Sequence, residues 1–176
     1  MYKLTFKPLE LKDARLCFDN LEENVIYFSS GTLKKEFDYL TFKKYLEDHK
    51  KIIKEEKIGN RATFLILNKN KEYIGRCSIN RFDKKNNSAK ISLSIKEEFW
   101  GNGYGSEALN FLCKTAFTKF KLHRLQYGTY SYNERSKKLA EKNGFIYEGT
   151  LRDDKKIGNK YYDVLIYSKL KSEFKK

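Results

Sequence analysis

The stretch Trp100-Gly101-Asn102-Gly103-Tyr104-Gly105-Ser106 sets three glycines at alternate positions directly ahead of a helix-forming run. Glycine has no Cβ, so the main-chain N–H groups of such a loop can come close to a ligand. The first turn of a helix leaves N–H groups unpaired and carries partial positive charge, which suits phosphate oxygens. The chemistry implied is a cradle for a diphosphate, with the Ser106 hydroxyl as a further donor. Glu107 has the wrong sign for an anion site; as a first-turn residue it stabilises the helix and is expected to point away. No Gly-Lys-Ser/Thr follows, so this is not a Walker A loop, and the antiparallel strands expected ahead of it do not fit a dinucleotide-binding βαβ unit. A bare Gly-x-Gly-x-Gly also fits a flexible strand-to-helix turn.

The elements around the loop decide what it can do. Residues 2–7 alternate like a first strand, and Leu11, Ala14, Leu16, Phe18 and Leu21 follow at helix-compatible spacing with Asp13 as a cap. Phe42, Tyr45, Leu46, His49, Ile52 and Ile53 recur at three and four residues and predict a second helix. The stretch Val25 to Tyr39 between them reads as irregular. Three strands come next: Ala62–Leu67, Tyr73–Phe82 and Ala89–Ile95, joined by turns at 68–71 and 83–87. After the glycine loop, Ala108, Leu109, Leu112, Cys113, Ala116, Phe117 and Phe120 form a long helical stripe. A strand Arg124–Tyr130, a short helix Asn133–Asn143 stopped by Gly144, and strands near Phe145–Leu151 and Tyr161–Leu170 complete the order, with a polar turn expected from Asp153 to Lys160. The fold class is α/β (α+β) around one mixed sheet.

Composition narrows the classes. The chain has 176 residues, 40% of them hydrophobic and 15% aromatic, which is enough to bury a core and too much for a disordered chain. One Pro and no repeat or low-complexity tract predict a single domain over residues 1–176. No apolar run approaches the roughly 20 residues that span a bilayer. Cys17, Cys77 and Cys113 lack metal-ligand spacing and are expected as buried, reduced thiols in a cytoplasmic protein, with no metal site. The formal charge of +14 attracts anions but names no partner, since much of the lysine lies on mixed-sign helix faces such as 50–57. A basic nucleic-acid-binding module is the alternative from another class; the sequence offers it no RNA-recognition signature, zinc-finger spacing or clear helix-turn-helix.

The run Phe99-Trp100-Gly101-Asn102-Gly103-Tyr104-Gly105-Ser106-Glu107-Ala108 resembles the acetyl-CoA loop of the GNAT acetyltransferase superfamily. It looks most like the branch of Rim-type protein N-terminal and spermidine acetyltransferases. Leu122-His123-Arg124-Leu125, Asn133-Glu134-Arg135-Ser136, Asn143-Gly144-Phe145, Glu148-Gly149 and Tyr162-Asp163-Val164-Leu165-Ile166-Tyr167 are similar to that branch, in the same order, over nearly the whole chain.

The resemblance implies a mostly antiparallel seven-stranded sheet flanked by about four helices, with strands 4 and 5 splayed around the pantetheine arm of acetyl-CoA. Main-chain groups of Leu93, Ser94 and Ile95 would pair with that arm, one N–H polarising the thioester carbonyl. Residues 100–106 would hold the pyrophosphate, Asn133 would hydrogen-bond the arm, and Ser136 would lie near the sulfur as the candidate acid, with water as the other proton source. A neutral primary amine would attack the thioester directly. The acceptor implied is a protein or peptide N-terminus; the alternative is a small-molecule amine, a polyamine or an antibiotic, supported by the acidity of Glu22, Glu23 and Glu36. A homodimer is compatible with the sequence. Two positions depart from relatives: Ala140 stands where spermidine-acetylating enzymes carry a tyrosine acid, and Lys155, beside Asp154, where Rim-type enzymes can carry a glutamate base.

The same residues have plain structural readings. Asn133 suits a helix N-cap. Asp153 and Asp154 read as turn residues. His49 falls in the apolar stripe of its helix and reads as a packed histidine. Nothing marks His123 as a base, and Trp100 and Tyr104 fit packing under the loop.

Overall fold

A computed structural model describes residues 4–32, 34, 38 and 40–174. Strand β1 (Thr5–Pro8) leads through a 3-10 turn into helices α1 (Ala14–Asp19), α2 (Glu23–Ser30) and α3 (Phe42–Lys57). The meander β2 (Arg61–Leu67), β3 (Tyr73–Asp83) and β4 (Ser88–Ile95) follows. Helix α4 (Tyr104–Lys114) runs on through a π turn, Thr115–Lys119, and is succeeded by β5 (Arg124–Tyr130), α5 (Glu134–Lys142), β6 (Ile146–Ile157) and β7 (Lys160–Leu170).

The strands form a seven-stranded mixed sheet in the order β1-β2-β3-β4-β5-β7-β6. Every neighbouring pair is antiparallel except β4 and β5. The expected turns in the meander are built by side chains. Asn68 Oδ1 accepts from the Asn70 and Glu72 amides at 2.9 and 3.0 Å. Asp83 Oδ1 accepts from the Asn86 amide at 3.0 Å.

Period-two alternation sends β3 and β4 side chains to opposite faces of the sheet. One face buries Ile79, Ile91 and Leu125 against Leu109, Leu112 and Ala116 of α4 and its extension. The other buries Leu65 with Leu9, Cys17 and Tyr45 under α1 and α3. His49 is 1% exposed, with Nε2 3.0 Å from the Glu10 carbonyl oxygen, so it packs as its stripe predicts. All three cysteines are free and buried. No helix among the described residues is long and apolar enough to cross a membrane.

Two expectations about local structure fail. The stretch expected to be irregular holds α2, which stops at left-handed Gly31 (φ 73°) and brings the described α-helices to five. Its apolar residues, 25–28, run consecutively rather than at helical spacing, and none of them is fully buried, so no stripe betrays the helix in sequence. Long-range hydrogen bonds hold it instead: Asn133 Nδ2 donates to the Phe28 carbonyl and Tyr132 donates to the Tyr27 carbonyl, each at 3.1 Å. Tyr39 and Glu36 lie outside the described residues. The polar turn from Asp153 to Lys160 is also overturned. β6 continues to Ile157 and only two residues link it to β7. Asp153 marks a bulge there, with φ 51° and a register shift between Leu151 and Lys155. Solvated residues in a bulged outer strand have the composition of a turn, and the pairing with β7 overrides that preference.

Candidate active site

The one parallel pair creates the site. β4 and β5 pair from Ser88↔Arg124 to Ile91↔Tyr127, and no pairing continues beyond. Among the described residues, Ser92–Ile95 therefore keeps β3 as its only strand neighbour. Lys96 donates its N–H to the Ile74 carbonyl at 2.9 Å, and Arg76 stands opposite Ser94 in register. In an antiparallel ladder, residues alternate in the side to which they turn N–H and C=O. Ser94 thus turns its main chain to β3, while Leu93 and Ile95 turn theirs into the gap. Of Leu93, Ser94 and Ile95, the first and last turn main chain into the gap, and Ser94 lines the cavity.

The gap opens into a cavity of about 740 Å³ that also takes in Gly101, Gly103, Gly105, Ser106, Asn133 and Ser136. Gly101 and Gly103 both have φ 81°, and a Cβ added at either would meet nothing within 4 Å. The loop is left-handed where it turns into α4, with open space above it. Gly105 differs: a Cβ there would come within 3.2 Å of Leu139, so it serves the contact between α4 and α5. Gly103 is the N-cap of α4. Ser106 already accepts from Asn143 Nδ2 at 3.0 Å, and Glu107 turns away, its Oε1 accepting from the Leu4 amide at 2.7 Å. A second depression, about 760 Å³ over Thr150–Asp154 and Asp163, belongs to the β6 bulge and holds none of the expected site residues.

Trp100 packs under the loop. Its indole Nε1 donates to the Ile95 carbonyl at 2.8 Å, and the Arg135 guanidinium lies over the ring, 3.5 Å from its centroid. The glycine loop is thereby fastened to the end of β4 and to α5. Asn102 Nδ2 donates to the Trp100 carbonyl at 3.2 Å, and Tyr104 tilts against Phe99. Arg135, Lys138 and Lys142 of α5 line the same end of the cavity and give it positive charge. The sequence reading did not single them out; their spacing of three and four residues, one face of a helix, was the available signal.

Asn133 caps α5, its Oδ1 accepting from the Ser136 amide at 3.1 Å, while its Nδ2 ties down α2. The Ser136 hydroxyl lies 2.7 Å from the Tyr127 hydroxyl, a partner that sequence reasoning missed because the two residues sit on different elements. Burial pushes the Tyr127 phenol above its ordinary pKa, against the opposing pull of Ser136, so it stays protonated at neutral pH. Ala140 is fully buried and offers no acid. Lys155 lines the cavity with its Nζ 3.2 Å from Asp154 Oδ2. His123 lies at the far end of β5, where its amide donates to the Asn87 carbonyl at 2.7 Å. Among the described residues no group of three metal-ligating side chains converges.

Residues 3–146 match the acetyltransferase (GNAT) domain family. The chain is a GNAT acetyltransferase. It is therefore an acyltransferase enzyme that acts on amines, and its splayed sheet is that family's fold. An uncharacterized N-acetyltransferase, p20, from Bacillus licheniformis is 29% identical over 98% of this chain and 95% of its own length. A ribosomal-protein-serine acetyltransferase from Escherichia coli is 31% identical over 62% of this chain and 61% of that protein. The crystal structure of spermidine N-acetyltransferase from Vibrio cholerae with CoA and spermine superposes with a TM-score of 0.83 at 24% identity, covering 97% of both chains. For this GNAT chain that last likeness shows the fold.

Proposed function

We propose that residues 1–176 form one domain that transfers the acetyl group of acetyl-CoA to the primary amine of a protein or peptide N-terminus. The observation that carries the reading is the break in pairing after Ile91↔Tyr127, with the glycine loop at one end of the gap and Ser136 on its flank. The ribosomal-protein-serine acetyltransferase among the relatives supports the acceptor class.

In this reading the N–H groups at the mouth of α4, with Arg135, Lys138 and Lys142, hold the diphosphate. Leu93 and Ile95 offer N–H groups toward the gap, one of which polarises the thioester carbonyl as negative charge develops on its oxygen. The neutral amine nitrogen attacks the carbonyl carbon, the carbon–sulfur bond breaks and the amide forms. The nitrogen gives up one proton and the sulfur takes one, so charge balances. Ser136, backed by Tyr127, supplies the proton to the thiolate and is reprotonated by the proton that the nitrogen releases. No covalent link to the enzyme is formed.

Thermal unfolding with and without acetyl-CoA, followed by thiol release against a panel of amines, tests the reading. Stabilisation by acetyl-CoA and release dependent on a peptide amine are expected. Absence of both would remove it. A polyamine acceptor is the second reading, favoured by a spermidine N(1)-acetyltransferase from Vibrio cholerae, 24% identical over 92% of this chain and 90% of that one.

A further inference from the structure

The cavity does not end at the cofactor loop; it continues across the opposite face of the sheet, beneath α1, α2 and α3, where Asn20, Leu21, Val25, Ile26, Tyr45 and Ile52 line it. The floor is polar. Thr63, Ser78 and Ser92 stand in register across β2, β3 and β4, and the Ser78 and Ser92 hydroxyls are 2.7 Å apart. Arg61 and Arg76 flank that row and line the cavity too.

The charged groups here are not all paired with one another. Arg61 is paired with Glu55 at 2.6 Å. Glu22 lines the cavity, but its Oε2 already accepts from the Glu97 amide at 2.7 Å. Lys155 has Asp154. Arg76, half-buried, has as its polar side-chain contact the Tyr45 hydroxyl at 3.4 Å and meets no carboxylate among the described residues. Its other close neighbours, Cys17 and Tyr73, supply no compensating charge. Burial pushes the Cys17 thiol and the Tyr73 phenol up, and Tyr45 to about 12, so all three are neutral at physiological pH. A guanidinium withdrawn from water without an anion is costly, and its planar fork matches a carboxylate.

Position adds the second half. Arg76 faces Ser94 across one strand spacing, about 4.8 Å, and Ser94 lies between the two residues whose main chain opens to the gap. An anion held by Arg76 thus sits close to the place where the amine must attack. Resting on the acetyl-transfer reading, we propose that Arg76 selects the acceptor by holding a carboxylate that lies a few bonds from the acetylated amine. Two sources present that chemistry: a peptide that begins with an acidic residue, and a free amino acid. A polycation would bring like charge against Arg76, whereas the +14 chain draws an anionic acceptor inward.

The test is thiol release from acetyl-CoA with acceptor pairs that differ in one charge. One arm compares the tripeptide amides Asp-Ala-Ala and Asn-Ala-Ala; the other compares free alanine with alaninamide. Spermidine is run beside them. In at least one arm the acid should exceed its neutral partner in kcat/KM by about tenfold or more, the usual scale for a hydrogen bond to a charged group. Arg76→Gln should bring that ratio close to one, and Arg76→Lys should keep part of it. The wild-type ratios need no variant, so a poorly folded Arg76→Gln protein leaves the proposal open to refutation. Ratios near one in both arms, or spermidine turned over faster than every carboxylate-bearing amine, would overturn it while leaving acetyl transfer intact. No release with any amine and no stabilisation by acetyl-CoA would instead remove the acetyl-transfer reading, and this proposal with it.

Discussion

The Tyr127 and Ser136 hydroxyls meet at 2.7 Å where the parallel pairing of β4 and β5 gives out. Tyr127 is the last residue of β5 held against β4, and Ser136 lies in the first turn of α5, its amide capped by Asn133. The rigid strand and the capped helix together fix the serine hydroxyl at the edge of the gap.

That relationship predicts a graded response. Ser136→Ala should lower kcat by about 10²-fold, the lower end of what a positioned acid contributes, with acetyl-CoA affinity little changed. Tyr127→Phe keeps the buried ring and removes one hydrogen bond, so a loss of about fivefold is expected, matching roughly 1 kcal/mol. Stopped-flow turnover beside calorimetric binding separates the two quantities. Wild-type turnover in Ser136→Ala would retire it as the acid.

The glycine loop makes a different prediction. At Gly103, φ 81° and the open space above it mean that a β-branched residue strains the backbone and intrudes on the ligand without striking the protein. Gly103→Val should abolish measurable acetyl-CoA binding in calorimetry while costing about 1–2 kcal/mol of stability for the left-handed backbone. Unchanged affinity would remove the cradle assignment.

Gly75 stands opposite Ile95, at the end of β4 that borders the gap. A Cβ there would lie 2.2 Å from the Ser94 carbonyl oxygen, which is backbone and has no rotamer to yield. Gly75→Ala should cost at least about 2–3 kcal/mol in denaturant unfolding. Any folded fraction should bind acetyl-CoA weakly, because β4 must move at the residues that line the gap.

Glu148 gives a pH signature. Its hydrogen bond to Arg124, helped by one from Ser168, holds the carboxyl below its ordinary value of 4.5. A carboxyl depressed on folding contributes stability that is fully present above that unfolded value and is lost as pH falls through the lower folded one. Glu148→Gln should therefore melt below wild type at pH 7, and the two melting curves should converge as the pH falls below 4.5 and through the lower folded value. A gap that persists unchanged into acid would show that the pair contributes nothing through ionisation.

Much of this molecule is written locally. The alternation of 89–95, the side-chain-built turns at Asn68 and Asp83, the stripe of α4 and the Asn133 cap all depend on near neighbours in the chain, so the sequence determines them. The glycine loop is legible for the same reason, because backbone freedom is a property of the residue itself. α2 was not, since its helix rests on hydrogen bonds to Asn133 and Tyr132 about a hundred residues away. Nor was the length of β6, whose solvated residues have the composition of a turn until β7 pairs with them. Tertiary structure alone decided that pairing stops after Ile91↔Tyr127, that Tyr127 backs Ser136, and that Arg76 is left without a carboxylate among the described residues. Each depends on which strands and helices become neighbours, and burial, rather than any residue's own preference, makes that choice.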